Sequence, residues 1–342
     1  MKTSGTSLRT YLLTRLALVV PMVFILLTLV FLLMRVAPGN PISAALGGHV
    51  PASVINKITH QLGYDKPLYV QYWNYLSGIL HGNLGTTITD RRPVSQIIIE
   101  NGGATLELTV AAGFVAIVVG IVVGLLAGRY RDTWIDVSGR LLGIVAYAMP
   151  VFFLGFLAQL FFGVYLGWLP TSDQASPITQ AFLPVHSHIL IVDAVWAHNW
   201  GALWDILKHL ILPATTLGLV IGGIFIRLVR VNVIRSLTDD YVEAARARGI
   251  GERAVVYRHA FRNALVPVIT IVGLQLALLL SGAVLTETTF TWPGIGHELV
   301  VYLANRDYAG VQGIIVVFAL VVVVASLVID FVNAFIDPRI RY

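Results

Sequence analysis

Asp239-Asp240-Tyr241-Val242-Glu243-Ala244-Ala245-Arg246-Ala247-Arg248-Gly249-Ile250-Gly251-Glu252 is the most highly charged stretch of an otherwise apolar chain. A run long enough to cross a membrane lies on either side of it. Acids come first (Asp239, Asp240, Glu243), then arginines (Arg246, Arg248), then Gly249. That order suits a short helix, with anions at its positive N-terminal end, cations at its C-terminal end and a glycine free to turn left-handed. Ile250-Gly251 makes the turn, Glu252 opens a second helix towards Arg262, and Pro267 is expected to kink the next apolar run or mark its entry. One reading is a solvated loop of any membrane protein. The sharper reading is a helix–turn–helix foot that docks on a soluble partner.

Composition sets the class. Apolar residues make up 57% of the 342 and charged residues 12%, about half the charged share of a soluble domain. The chain therefore reads as all-α and polytopic. A bilayer needs roughly 20 apolar residues per crossing, and six runs qualify, near 12–34, 104–127, 141–164, 209–229, 264–286 and 310–333. Leu16 to Met34 is 19 residues with no Ala-x-Ala site after it, so it is expected to stay as an anchor rather than be removed as a signal peptide. With the N-terminus inside, 16 of the 23 Lys and Arg fall on cytoplasmic segments, which places both termini in the cytoplasm. This bias accounts for the net charge of +5 and gives no reason to invoke nucleic acid.

Between the spans, 35–103 reads as a long extracytoplasmic loop. Within it Leu68, Tyr72, Tyr75, Leu76 and Ile79 share one face of an interfacial helix, with Trp73 beside it, and packing is its expected role. Gly120, Gly124 and Gly128 form a small-residue stripe in the second span, facing either another helix of the chain or a partner. Pro150 should break or kink the third span. An extended outer loop covers 165–208 and a cytoplasmic loop 230–262, all within one membrane domain.

Glu107 and Glu287 lie at the outer ends of their spans and are candidates for the translocation path, because an acid at membrane depth is costly. For Glu107 the alternative is a partly hydrated residue at the helix entrance. His186-x-His188 with Asp193 is a donor set that suits nickel or zinc. Loop histidines are usually nothing of the kind, and no metal site is assigned. There is no Gly-Lys pair, hence no P-loop, and no nucleophile–base motif, so the chain reads as a transporter part without its own motor. Cysteine is absent.

Glu243-Ala244-Ala245-x-x-x-Gly249 resembles the EAA signature of bacterial ABC-importer permeases. The general pattern puts Ile-x-Leu-Pro soon after the glycine. Here Ala264-Leu265-Val266-Pro267 lies further along, a spacing similar to the peptide-importer branch. Arg35-Val-Ala-Pro-Gly-Asn-Pro41, Leu62-Gly-Tyr-Asp-Lys-Pro-Leu-Tyr69, Gly82-Asn-Leu-Gly85, Ala104-Thr-Leu-Glu-Leu108, Thr288-Thr-Phe-Thr-Trp-Pro-Gly294, Asn305-Arg-Asp-Tyr308 and Asp337-Pro-Arg-Ile-Arg341 extend the resemblance to the B-type permease of the dipeptide, oligopeptide and nickel importers. The outer loop around 172–205 is longer than that pattern.

The resemblance implies a type I importer permease in the cytoplasmic membrane. It would pair with a sister permease, two ATP-binding subunits that hold ATP and magnesium, and an extracytoplasmic solute-binding protein. It also implies that Asp240, Tyr241, Glu243, Ala244, Ala245, Arg246, Arg248 and Gly249 form the coupling helix, with Ala244 and Ala245 facing the wall of an ATPase groove. The implied solutes are dipeptides or oligopeptides, with nickel or another solute of the same family as the alternative. A stand-alone secondary transporter or channel is the reading from another class, with Glu107, Glu287 and Asp330 as its only intramembrane acids.

Overall fold

The computed structural model describes residues 8–36, 41–46 and 50–336; the side chains of 8–13, 36, 41, 44, 266–267, 269–270, 272–274, 276–278, 280–281, 330 and 332–336 are outside that description. The side chains of Arg9, Pro267 and the candidate acid Asp330, and the residues Lys2, Arg339 and Arg341, lie outside that description. Helices follow one another as α1 (Leu8–Val36), α2 (Pro41–Ala45), α3 (Ala52–Leu62), α4 (Leu68–Leu80), α5 (Val94–Arg129), α6 (Trp134–Ala148) and α7 (Val151–Ala158), which continues as a π-helical segment, Gln159–Tyr165. Then come α8 (Pro177–Phe182), α9 (Leu190–Trp196), α10 (Trp200–Leu237), α11 (Asp240–Ala247) and α12 (Glu252–Ala254). A second π segment, Val255–Ala260, leads into α13 (Phe261–Thr289), followed by α14 (Ile295–Ala304) and α15 (Tyr308–Ile336). No strand occurs among the described residues.

The centre is the pair α5 and α10. At about 1.5 Å per residue their 36 and 38 residues exceed the roughly 30 Å hydrocarbon core, so each projects beyond the apolar run read from the sequence. Gly120, Gly124 and Gly128 open onto Phe225, Val229 and Val233: a Cβ on each would lie 2.3, 2.7 and 2.9 Å from the facing Cβ. The small-residue stripe therefore serves this chain's own α10. Matching steps on the two helices (120 with 225, 124 with 229, 128 with 233) make them parallel.

Parallel neighbours require the chain between them to return, and α6 with α7 makes the return with a 110° bend. The third span is therefore not a straight rod over 141–164. Pro150 supplies no N–H and holds Met149 in extended backbone (φ −79°, ψ 135°), which ends α6. α13 runs antiparallel to α10, with Ala264 and Val268 beside Val229 and Val233, and Gly282 against Leu217.

Among the described residues four helices are long and apolar enough to cross a membrane (Thr14–Arg35, Val94–Arg129, Trp200–Leu237 and Tyr308–Ile329), and the bent pair makes a fifth if counted as one span. The remaining run, 264–286, falls on α13, whose 29 residues are of spanning length.

α4 packs against the long helices. Tyr75, Leu76 and Ile79 lie against Leu27, Val30 and Val316 of α1 and α15, and Tyr72 and Tyr75 meet the Phe31 ring at 5.1 and 5.5 Å. Leu68, at the helix start, is 62% exposed instead.

Candidate functional site

One pole of the bundle carries the charged foot. α11 spans Asp240–Ala247, and Gly249 follows with φ +75°. Its N–H donates to Arg246 O at 2.9 Å and that of Ile250 to Ala245 O at 3.3 Å, so the last turn is closed by the left-handed glycine. Nothing lies within 4 Å of where a Gly249 side chain would begin, so backbone conformation rather than space selects glycine there.

The helix has two faces. Val242 and Ala245 are fully buried with Val255 and Ala260, and Tyr241 and Ile250 close the cluster. The expectation that Ala245 faces a partner's groove is thus corrected: its methyl group points inward because the foot needs its own core to stand off the spans. Asp240, Glu243, Ala244, Ala247 and Arg248 are exposed. No ion pair engages Asp240 or Glu243 among the described residues.

Arg246 is a strut rather than a free charge. It makes a two-pronged bond to Glu252 across the turn, Nε to Oε2 at 3.1 Å and Nη2 to Oε1 at 2.8 Å, and this bond holds the Glu252 carboxyl below its usual range. The Arg248 Nε donates to Ala244 O at 3.2 Å.

Behind the foot, Arg230 of α10 donates to both oxygens of the buried Asp136 at 2.5 and 2.8 Å, and Arg140 lies 3.5 Å from the same carboxylate. The sequence held no local sign of this brace, because its partners are 94 residues apart. Between α6 and α10 a cleft of about 510 Å³ is lined by Arg140, Gly143, Tyr147, Gly223, Ile226 and Arg227 among others. Arg227 has no partner among the described residues.

At the opposite pole both candidate acids are held in buried networks. Glu107, 5% exposed, accepts hydrogen bonds from Ile191 N at 2.7 Å and from the Gln174 side chain, tying α5 to the segment 165–208. That loop has a core of its own in Ala175, Leu183, Ala194, Ala202 and Ile206. Glu287, fully buried, accepts from His297 N at 2.9 Å at the start of α14, and a side chain on Gly294 or Gly296 would collide with its carboxylate. That N-terminus engages one carboxylate oxygen, Oε2, while Oε1 is buried with no hydrogen-bond partner. Next to it, Trp292 donates from Nε1 to Ala104 O at 2.8 Å and Thr105 accepts from Ile295 N at 2.8 Å. Neither acid is among the residues that line the α6–α10 cleft. These hydrogen bonds tie Glu107 and Glu287 to the segments packed over their helices.

His186 is exposed and His188 half-buried, whereas Asp193 turns away to accept from Ser187 N and Oγ at 2.9 and 2.8 Å. No group of three potential metal ligands occurs among the described residues.

Residues 120–342 match the family described as binding-protein-dependent transport system inner membrane component, and residues 8–109 match the family of its N-terminal part. The chain is similar to the dipeptide transport system permease protein DppB of Alkalihalophilus pseudofirmus, 35% identical over 97% of this chain and 99% of the relative. The di/tripeptide transport system permease protein DppB of Pseudomonas aeruginosa is 37% identical over 96% and 97% of the two chains. The glutathione transport system permease protein GsiC of Salmonella typhimurium is 36% identical over 97% and 99%.

Proposed function

The chain belongs to the family of binding-protein-dependent transport system inner membrane components, and we propose that it is the permease subunit of an ATP-driven importer of dipeptides and other short peptides. It crosses the cytoplasmic membrane six times with both termini and the foot inside. A sister permease completes the channel, two ATP-binding subunits supply hydrolysis, and a solute-binding protein delivers peptide from outside. The α6–α10 cleft forms part of the path wall. ATP draws the two ATPases together, the feet follow, and the permease pair opens outward.

The observation that carries this reading is the two-faced foot. A helix of eight residues, held off the spans by Val242, Ala245 and the Arg246–Glu252 bond, presents two unpaired acids, Ala244 and Arg248 to solvent. Small side chains let a helix backbone approach a groove closely, and charges at the rim fix its register. The engagement of Glu107 and Glu287 with loop backbone weakens the case for a stand-alone transporter, which would need free acids at membrane depth.

Because the chain has no cysteine, Ala244→Cys creates a single thiol on the exposed face. A thiol-reactive photo-crosslinker placed there should join the chain to an ATP-binding subunit in membranes, and one at Thr238→Cys should do so less. Equal labelling of lipid alone from both positions would refute the docking role.

A further inference from the structure

Arg35 ends α1 at the pole away from the foot. Its guanidinium carbon lies 4.3 Å from the centre of the Tyr64 ring and 5.1 Å from that of Phe31, and its Nε donates to Gln71 Oε1 at 2.9 Å. Gln71 is fixed in turn by donating to Lys66 O at 2.7 Å and Tyr64 O at 3.0 Å. Arg35 Nη1, however, is buried with no acceptor, and so is the hydroxyl of Tyr75. Both side chains line a cavity of about 340 Å³ between α1, α4 and α15, together with Asn74, Asn83 and Gln312.

No Asp or Glu lines this cavity. Asp307, at the start of α15, accepts from Ile88 N at 2.6 Å, Thr89 N at 2.8 Å, Thr89 Oγ1 at 2.9 Å and Gly310 N at 3.0 Å, so its oxygens are already engaged. A guanidinium cannot shed its proton to relieve the deficit, and a buried cation without an anion is costly. The lining offers amide and hydroxyl groups with rotatable donors, the set that surrounds an oxyanion.

The surroundings indicate where that anion comes from. α4, which forms one wall, turns Leu68, Tyr69, Trp73 and Leu80 outward at 62, 75, 71 and 85% exposure. An aromatic face of that kind settles at the level of lipid headgroups. On α1, within the two turns before Arg35, Leu29, Leu32 and Leu33 are 53, 48 and 65% exposed, a surface suited to acyl chains. We propose that the Arg35–Tyr75 cavity binds a phosphate group, supplied by a phospholipid headgroup, and that the bound lipid seats α4 on the bundle. The inference needs only a membrane-embedded chain and does not depend on what is transported.

The test uses the full-length chain purified from its own membranes with the subunits that accompany it, and counts bound phospholipid by native mass spectrometry. Wild type should keep one more phospholipid than Arg35→Gln. Roughly tenfold weaker retention is expected for that change, because it removes a charge-assisted bond. Tyr75→Phe keeps the ring on Phe31 and removes only the hydroxyl, so it should fold as wild type and lose retention by a smaller factor. Displacement of the adduct from wild type by inorganic phosphate, but not by chloride, would confirm a phosphate site. If inorganic phosphate binds at Arg35 while phospholipid retention is the same in all three proteins, the phosphate chemistry stands and the lipid source falls. Equal phospholipid retention with no phosphate binding overturns the proposal, as does displacement by a dipeptide and not by phosphate.

Discussion

Ala244→Trp and Ala245→Trp place the same side chain one residue apart on α11, and the structure separates their consequences. Ala245 is fully buried among Val242, Val255 and Ala260. An indole there has no space and must lift the helix from its support, which costs about 1–3 kcal/mol or more of the foot's own stability. Ala244 lies on the exposed side, where a substitution alters chain stability by only about 0.5 kcal/mol either way. Against a groove shaped for a methyl group, the Ala244→Trp indole should meet the same overpacking penalty of about 1–3 kcal/mol, or roughly 5- to 150-fold weaker docking. The assay combines thermal unfolding of the chain in detergent, co-purification of the ATP-binding subunit, and ATP-driven peptide uptake. Ala244→Trp should unfold like wild type yet lose the ATPase and uptake, whereas Ala245→Trp should lose local stability as well. If Ala244→Trp keeps its ATPase and full uptake, the exposed face of the foot is not the docking face, and the coupling assignment fails with it.

Three further outcomes follow from the same geometry. Asp136→Ala strips both bonds from Arg230 and should lower stability by about 3 kcal/mol; an unchanged unfolding temperature would show that the brace contributes nothing. Gly124→Leu sets a Cβ 2.7 Å from that of Val229 and 2.8 Å from the backbone oxygen of Ile226, so α5 and α10 must part, at a cost of about 1–3 kcal/mol or more; intact folding with normal uptake would contradict the seam. For the Arg246–Glu252 strut, the bond lowers the Glu252 carboxyl from 4.5, so its contribution is complete above that pH and is lost as pH falls through the lowered value. Amide hydrogen exchange at Ile250 and Val255, corrected for intrinsic rate, should therefore stay flat from pH 8 to pH 5 and rise only below 4.5. A rise between pH 7 and pH 5 would assign the turn's stability to another group.

The class, the helical spans and the position of the foot were legible in the sequence because each rests on local chemistry. Apolar run length sets a span, the acid-to-arginine order and Gly249 set α11, and Pro150 forbids a continuous helix at Met149. Tertiary structure decided the rest. The resemblance set Ala244 and Ala245 together against a partner's groove, yet only the packing of the second π segment beneath α11 determined that Ala245 turns inward and Ala244 outward. The glycine stripe announced a close approach, and only the parallel run of α10 identified its partner. Glu107 and Glu287 look alike as acids at span ends. Their engagement depends on Gln174 and Ile191, 67 and 84 residues away, and on the fold-back of Gly294 to His297 over α13. Hydropathy and caps act within a few residues. Whether a buried charge finds a partner depends on chain segments that only the folded bundle brings together.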